Sequence, residues 1–411
     1  MDRHFCFLQG NASGFFRKLG GRLAEDGARV SRINICGGDR HFWGDWNAVD
    51  YRGNADGFGD YIADYLHREN VTDIVLHNDC RQVHRDAIAR AKLAGVECWV
   101  FEEGYLRPNW LTLEKGGING FSPLPRDPEW FRSEAAKLPL PKTGQPGETG
   151  RSGEAVQPVG AGLAGRVLSD FRWQWENYRQ FFRYPNYRTH RPYPIWLEYL
   201  TWAKRLALLK WYQVQARNLI DNFVEQSASY YVFLLQLDSD SQISVHSPFG
   251  RMHNAIEEVV GNFARHAPEG TCLVIKNHPL DNGWNNYRRI IRRLVKQHGV
   301  VGRVHFIDGG DLNKLIDHCL GVVTVNSTAG FTALDRGRSV ICLGKAIFDV
   351  PGLTCQAMLE EFWSSLPAVD EELYNCFKSV VLDRCLINGN YYTDAGVALA
   401  VENSAMLMLA D

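Results

Sequence analysis

The chain has 411 residues, of which 45% are hydrophobic and 22% are charged, and its formal net charge is −2 at pH 7. A chain of this length usually forms about two domains. Its composition is typical of globular proteins rather than of disordered or membrane-spanning chains, and its charge indicates no general attraction to nucleic acid. The N-terminus lacks a signal-peptide pattern, and no stretch approaches ~18 uninterrupted apolar residues. We therefore expect a cytoplasmic protein.

Short apolar runs alternate with amphipathic runs in two blocks of the chain. In the first block the predicted strands are HFCFLQG, ARVSRINIC, TDIVLHND and VECWVFEEG, and the predicted helices span 14–26, 56–69 and 82–94. In the second block the predicted strands are YYVFLLQL, TCLVIKNH, GRVHFID, GVVTVNS and SVICLG. Such alternation indicates βαβ units and parallel sheets. We predict an α/β protein of two Rossmann-like domains, residues 1–137 and 218–361, that face each other across a cleft.

Two different segments separate these domains. Residues 138–165 are rich in Pro and Gly, which predicts a linker. Residues 166–217 hold 14 aromatic residues, 10 Lys or Arg and 3 Asp or Glu, and we predict helices there. One interpretation packs them on the cleft; the other makes them a basic, aromatic surface for anionic lipid headgroups or an anionic acceptor, and both can hold. We predict that residues 362–411 form helices that return to the first domain.

A pair of acidic residues ends a strand of the first domain. In VFEEGYLRPNW, Glu102 and Glu103 point to opposite sides of the strand, so one of them faces the mouth of the cleft. A carboxylate there can serve as a general base or a nucleophile, although two acids at a strand end are often merely solvated. Arg107 is a candidate for holding a carboxylate or phosphate, with a plain surface arginine as the alternative. Weaker substrate-binding candidates are Gly10, Asn119 and Arg126.

Three strand ends of the second domain carry polar residues. The strand YYVFLLQL leads into Gln236 and then Asp240, which are able to bracket a base or ribose; a simple turn is the alternative. The only GxGxxG match, GAGLAG at 160–165, lies in the Pro- and Gly-rich linker and follows no predicted strand, and the chain has no GxxxxGK[ST] motif; neither dinucleotide binding nor ordinary NTPase activity is therefore indicated. In VIKNHP, Lys276 and His278 end a strand, and the proline stops it. A histidine there can donate to a phosphate or make only a local hydrogen bond.

The segment VVTVNSTAGFTALDRG runs from a buried strand into a predicted short helix that ends at Gly337. Asn326, Ser327 and Thr328 are good helix N-caps, and Gly330 leaves room for a ligand to approach the backbone. Free N–H groups, a helix dipole and two hydroxyls together favour a phosphate site. Plain capping explains one of these residues but not the whole set.

The chain resembles the capsule polysaccharide synthesis family that includes KpsS, KpsC and LipB. The segments that carry this resemblance are FLQGNASGFF, FEEGYLRPNW, LQLDSDSQ, KNHP and NSTAGFTALDRG. They are more similar to the KpsS and LipB branch than to KpsC. The resemblance implies a GT-B-like fold and a retaining β-Kdo (3-deoxy-manno-octulosonic acid) transferase. It further implies that CMP-β-Kdo is the donor and a phosphatidylglycerol-type lipid the acceptor. KpsC-like sequences carry Glu-Asp-Gly where this chain has Glu102-Glu103-Gly104, which leaves open which carboxylate is catalytic.

The acidic pair, the His-Pro pair and the Ser-Thr pair are also similar to motifs of bacterial GT-B sialyltransferases. That similarity implies a catalytic role for Glu103 or Glu102 and binding of the CMP phosphate by His278, Ser327 and Thr328. We expect no cofactor and no metal, and no nucleic-acid partner. We expect a peripheral position on the cytoplasmic face of the inner membrane, with other capsule assembly proteins as further partners. The alternatives are a CDP-glycerol-type glycerophosphotransferase and a nonenzymatic export or scaffold protein.

Overall fold

The computed structural model describes residues 3–139, 156–160, 163–189, 195–238 and 241–410. The strands are β1 His4–Phe7, β2 Arg29–Asn34, β3 Ala48–Asp50, β4 Asp73–His77, β5 Glu97–Glu103, β6 Trp110–Lys115, β7 Tyr230–Leu234, β8 Cys272–Lys276, β9 Val304–Ile307, β10 Gly321–Thr324, β11 Ser339–Cys342 and β12 Leu386–Asn388. The helices are α1 Phe15–Glu25, α2 Gly37–Trp43, α3 Phe58–Arg68, α4 Gln82–Ala94, α5 Pro128–Ala135, α6 Leu163–Arg179, α7 Ile195–Glu225, α8 Ser241–Val245, α9 Met252–His266, α10 Tyr287–Gln297, α11 Leu312–Asp317, α12 Ala329–Leu334, α13 Leu359–Phe362, α14 Glu371–Arg384 and α15 Asp394–Ala410.

The chain forms two compact units. Unit 1 comprises Met1–Leu124, Ser133–Thr189 and Cys376–Asp411, and unit 2 comprises Pro125–Arg132 and His190–Asn375. These bounds differ from the predicted ones in three places. Residues 125–132 fall in unit 2, and the predicted helical segment 166–217 is divided between the units. Of the predicted returning segment 362–411, only Cys376–Asp411 belongs to unit 1. Residues 140–155, most of the predicted linker, lie outside the described residues.

The sheet of unit 1 has seven strands in the order β12-β6-β5-β4-β1-β2-β3. Strands β1 to β5 are parallel, whereas β6 is antiparallel to both β5 and β12. The chain builds outward from β1 to β3 and then crosses to β4 on the other side of β1. This reversal is the topological switch point at which open α/β sheets bind ligands, outside the carboxyl ends of the strands.

Both faces of this sheet are buried. One apolar cluster joins the sheet to α1 and α15, and the other joins it to α3 and α4. Strand β1, His4–Phe7, is buried along its whole length, as expected for a parallel strand covered by helices on both faces. The first block's predicted strands and helices are present, whereas the short strands β3 and β12 and the strand β6 were not predicted.

Helix α6 packs closely on α2 because two glycines of α2 lack side chains. A Cβ on Gly37 would lie 2.3 Å from the Glu176 carbonyl oxygen, and one on Gly38 would lie 2.4 Å from the Trp173 ring. Trp173 is therefore buried and stacks on Phe42. The sequence left open whether this segment packs on the protein or forms an exposed aromatic surface, and Trp173 takes the packed position.

The sheet of unit 2 has five parallel strands in the order β11-β10-β7-β8-β9. Its central strand, Tyr230–Leu234, is buried at every position, and its switch point lies beside β7, between β10 and β8. All five strands predicted for the second block are present. The predicted α/β class, with two Rossmann-like units built on parallel strands, is confirmed. Among the helices described, none combines the length and the apolar character needed to cross a bilayer.

Candidate active site

The carboxyl edge of the unit 2 sheet gathers four residues predicted to bind phosphate. Strand β8 ends at Lys276, and His278 follows two residues later. Strand β10 ends at Thr324, and Ser327 and Thr328 follow it. Only β7 separates these strands, so their backbones lie about 10 Å apart. Side chains from both strand ends can therefore approach one phosphate placed above β7.

Lys276 is a buried cation without a direct counter-ion. Lys276 is 6% exposed. Within the part of the chain that the structure describes, its ammonium group makes no hydrogen bond or ion pair. Burial lowers the pKa of Lys276, and the neighbouring Asp308 carboxylate partly opposes that shift. Asp308 itself accepts two hydrogen bonds from Arg205, at 2.7 and 2.9 Å. An anionic ligand at this edge would supply the charge that Lys276 lacks.

His278 is held in a defined orientation by the turn that follows β8. Its Nδ1 accepts a hydrogen bond from the Leu280 backbone N–H at 3.1 Å, which in the neutral ring leaves the proton on Nε2. The Nε2–H group can then donate to a phosphate oxygen. The sequence placed both Lys276 and His278 at the end of the strand. In the structure β8 ends at Lys276, and His278 lies in the turn after it, where Asn277 binds Asp281.

Ser327 and Thr328 precede α12, as predicted, but the helix is shorter than the sequence suggested. It spans Ala329–Leu334, six residues rather than a helix ending at Gly337, so its dipole contributes little. The Ser327 hydroxyl accepts from the Ala329 N–H at 3.3 Å, whereas Thr328 makes no side-chain cap. The two hydroxyls, rather than the helix dipole, are therefore the candidate phosphate-binding groups here.

Gly330 has a packing explanation. It is buried, and a Cβ at this position would lie 2.4 Å from the Phe348 ring. The missing side chain therefore makes room for Phe348, whereas the sequence interpretation assigned it to the approach of a ligand.

Gln236 and Asn326 bind each other at the ends of β7 and β10. The Gln236 amide donates to the Asn326 side-chain oxygen at 2.8 Å, and its own oxygen accepts from the Asn326 backbone N–H at 3.1 Å. Both polar ends of the Gln236 side chain are thus used within the protein. We assign this pair to holding the strand ends in place, in contrast to the predicted contact of Gln236 with a base or ribose. Asp240 lies outside the described residues.

The acidic pair lies at the end of β5 in unit 1, beside the switch point of that sheet. The two Glu102 carboxylate oxygens accept hydrogen bonds from the Asn78 side chain at 2.9 Å and from the Glu103 backbone N–H at 3.0 Å. The Glu103 carboxylate lies 3.4 Å from the Arg166 guanidinium group. Glu102 is therefore fixed by hydrogen bonds, whereas Glu103 is oriented by a longer ion pair.

His77, at the end of β4, was not predicted to belong to this site. Its Nε2 lies 3.6 Å from a Glu102 oxygen, and neither ring nitrogen makes a hydrogen bond within the described residues. Burial and the nearby Arg81 lower the pKa of His77 to about 3, so the ring is neutral at pH 7. The sequence TDIVLHND predicts a strand that ends near His77, and this position was the signal that could have identified His77 as a site residue.

Gly104 follows the acidic pair for a steric reason. A Cβ at Gly104 would lie 2.3 Å from the Trp110 carbonyl oxygen and 2.7 Å from the Leu106 carbonyl oxygen. We expect Gly104→Ala to lower the free energy of unfolding by about 1–3 kcal/mol, because rigid backbone atoms cannot make room. Urea unfolding measures this change. Gly14→Ala is the matched control, since a Cβ there meets nothing within 4 Å; equal losses in the two variants would contradict the steric explanation.

The weaker substrate candidates are dispersed. Arg107 is exposed, and its Nε donates to the Gly104 carbonyl oxygen at 3.4 Å. Gly10 is buried after β1, and its carbonyl accepts from Arg81. Asn119 is buried with a positive φ of 50°, a conformation that asparagine tolerates well, so local geometry accounts for it. Arg126 is half-buried and belongs to unit 2, unlike Asn119.

Comparisons with known proteins show similarity over most of the chain. A family described as "Capsule polysaccharide biosynthesis protein" matches residues 72–392. The "Capsule polysaccharide export protein KpsS" of Escherichia coli is 33% identical over 95% of this chain and 97% of its own length. The "Capsule polysaccharide modification protein LipB" of Neisseria meningitidis serogroup A is 34% identical over 95% of this chain and 92% of its own length.

Among solved structures, similarity is found to one titled "Thermosulfurimonas dismutans KpsC, beta Kdo 2,7 transferase". The match has 12% identity and a TM-score of 0.45, and it covers 100% of both chains. A second structure, titled "Thermosulfurimonas dismutans KpsC, beta Kdo 2,4 transferase", matches with 15% identity and a TM-score of 0.39, covering 81% of this chain and 82% of its own.

Proposed function

This chain belongs to the capsule polysaccharide biosynthesis family, and we propose that it is a retaining glycosyltransferase that moves β-Kdo from CMP-β-Kdo to a phosphatidylglycerol or lysophosphatidylglycerol acceptor. In this proposal the product is the lipid-linked Kdo unit on which a capsule chain is built. The observation that carries it is the largely buried Lys276 side chain, which makes no ion pair within the described residues and lies at a sheet edge that also presents His278, Ser327 and Thr328.

In the proposed reaction this edge binds the phosphate of CMP. Lys276 supplies a positive charge, His278 donates from Nε2, and the two hydroxyls complete the set of donors. When the bond between the anomeric carbon and the phosphate oxygen breaks, negative charge accumulates on the departing phosphate. Donors already fixed in a site of low water content stabilise that charge, each by up to about 3 kcal/mol. CMP can therefore leave without a metal ion in this proposal.

Retention of configuration calls for two displacements or for front-side attack. We assign the nucleophile to Glu103, because hydrogen bonds to both oxygens of Glu102 hold that carboxylate in one place and still leave each oxygen a lone pair for a proton. Glu103 attacks the anomeric carbon as the bond to CMP breaks, and a hydroxyl of the acceptor then displaces Glu103. The proton of that hydroxyl passes to Glu102, a carboxylate that Asn78 and the Glu103 N–H hold in place.

The exposed aromatic residues of α6 and the turn after it favour contact with a membrane surface. Tyr178 is 76% exposed and Phe182 is 93% exposed, with Trp175 also on the surface. Arg172 and Arg179 are exposed nearby. Aromatic side chains of this kind partition into the headgroup region, and the arginines favour anionic lipids.

We expect W175S/F182S to reduce co-sedimentation with phosphatidylglycerol vesicles several-fold, because two apolar side chains no longer enter the headgroup region. The matched control is Leu93→Ser, which removes an exposed apolar residue from α4. Equal binding by wild type and W175S/F182S would contradict a role of this surface at the membrane.

The proposed function is tested by incubating the purified protein with CMP-Kdo and a lysophosphatidylglycerol, and by measuring the lipid product by mass spectrometry. The expected result is an acceptor heavier by one or more Kdo units, together with released CMP. A parallel reaction with CDP-glycerol tests the glycerophosphotransferase alternative. If neither donor reacts and CMP does not bind, a nonenzymatic export or scaffold role gains support.

A further inference from the structure

Unit 2 contains a groove whose lining reaches Asp308, the carboxylate that neighbours Lys276. It lies between α7 and α10, along the edge strand β9, and has a volume of about 480 Å³. The edge strand is the last strand of the sheet, so the groove is open on the side that no further strand covers.

One wall of the groove carries three cations. Arg288, Arg292 and Lys296 are spaced four residues apart on α10 and therefore share one helix face. Across the residues that the structure describes, none of the three forms an ion pair. The one acidic residue that lines the groove, Asp308, is bound by Arg205 through two hydrogen bonds. The groove thus presents three positive charges without compensation.

Arg288 is held in place by aromatic rings. Its guanidinium carbon lies 5.2 Å from the ring centroids of Tyr212 and Phe306 and 6.0 Å from that of Trp211. Stacking of this kind leaves the N–H groups at the edge of the guanidinium plane available for a phosphate. It also limits the side-chain freedom that binding would otherwise remove.

Most of the remaining lining is apolar, with Gln215 and His305 as its polar members. Leu219, Ile291, Val295 and Val301 all contribute to it, and Trp211 and Val214 are exposed on the adjoining part of α7. A free phosphate or a nucleotide phosphate would use the cations but leave this apolar surface in water. An amphiphile with an anionic headgroup satisfies both, because the phosphate meets the cations while hydrocarbon covers the apolar residues.

We propose that this groove binds one anionic phospholipid, with its phosphate on Arg288, Arg292 and Lys296 and its hydrocarbon on the apolar lining. This site would add a specific lipid contact to the membrane binding that the proposed function includes. The inference rests on the proposed function only for the choice of a membrane lipid over a soluble amphiphile. It does not take part in Kdo transfer, so lipid binding is measured without a sugar donor. Absence of transferase activity would leave the result of that measurement unchanged.

The first test compares two double variants of α10 that lose the same charge. R288Q/R292Q changes the groove, whereas R289Q/R293Q changes exposed arginines that do not line it. We expect R288Q/R292Q to weaken binding to phosphatidylcholine vesicles containing phosphatidylglycerol roughly 30-fold, from the usual contribution of two basic residues. R289Q/R293Q is expected to weaken it no more than a few-fold. Equal losses of vesicle binding in the two double variants would overturn the proposed lipid site, because they would indicate diffuse electrostatic attraction to the membrane.

The second test locates the lipid. A phosphatidylglycerol with a photoactivatable acyl chain is expected to label peptides of α7 and α10 in the wild type. Leu219→Trp, which fills the groove while retaining its charges, is expected to abolish that labelling; circular dichroism and thermal unfolding establish that the variant is folded. Labelling elsewhere, or labelling unaffected by L219W, would overturn the proposal, as would displacement of the lipid by inorganic phosphate or CMP.

Discussion

Glu103→Gln is expected to lower kcat for Kdo transfer by roughly 10⁴-fold or more, the loss seen when an enzyme loses its nucleophile. The amide cannot form the covalent sugar intermediate. CMP binding is expected to remain unchanged, because the proposed phosphate site consists of other residues. Transfer is measured by single-turnover kinetics with CMP-Kdo, and CMP binding by calorimetry.

Two further variants make this experiment specific. Glu97→Gln lies at the other end of β5, where Glu97 is largely exposed, and it is expected to retain full activity. Glu102→Gln is expected to slow transfer less than Glu103→Gln, because the amide still accepts one hydrogen bond but accepts a proton poorly. If E103Q turned over normally while E102Q did not, the two assigned roles would have to be exchanged.

Lys276→Met is expected to weaken CMP binding and to stabilise the ligand-free protein at the same time. Loss of a charge-assisted hydrogen bond of about 1.5–3 kcal/mol weakens binding roughly 10- to 150-fold. Stability rises because a buried charge without a partner is replaced by an apolar side chain of similar length. Calorimetry with CMP and urea unfolding without it measure the two effects. Lys210→Met, on the exposed surface of α7, should change neither.

The pH dependence of the free energy of unfolding, measured for the wild type and K276M, provides an independent check. Because the folded-state pKa of Lys276 is lowered by burial from 10.5, the unfolded chain binds the proton more tightly. The charged Lys276 therefore lowers the free energy of unfolding by its full amount at pH values below the folded-state pKa. This effect disappears as pH rises to 10.5. The stability advantage of K276M should therefore shrink as pH rises through that window. An advantage that is constant with pH would contradict a charged, unpaired Lys276.

The strand-end residues of the site were predictable because they follow from a local rule. Parallel strands that read as buried apolar runs must end at one edge of the sheet, and polar residues just past those ends lie together. Lys276, Ser327 and Glu103 were all found this way. The chemical roles given to these residues remain proposals.

Contacts between distant parts of the chain could not be predicted from one sequence. Arg205 and Asp308 are separated by 103 positions, and Arg166 and Glu103 by 63. Neither pair has a local signal, yet the first leaves Lys276 without a counter-ion and the second orients the proposed nucleophile. Such pairs are set by how helices pack on the sheets.

The same limit explains the residues that were misinterpreted or left open. Gln236 follows a strand end and fits the pattern of a ligand contact, but Asn326 uses both ends of its amide. Trp173 belongs to a segment that the sequence leaves open between packed and exposed, and Gly38 lets α2 cover it. In both cases a partner far away in sequence decided the outcome.

The most direct test of the account is a crystal structure of the protein bound to CMP. We expect a phosphate oxygen within about 3 Å of the Lys276 Nζ and of the Ser327 Oγ. We also expect the His278 Nε2 to donate a hydrogen bond to the same phosphate. A CMP phosphate bound elsewhere, with Lys276 still unpaired at the end of β8, would contradict it.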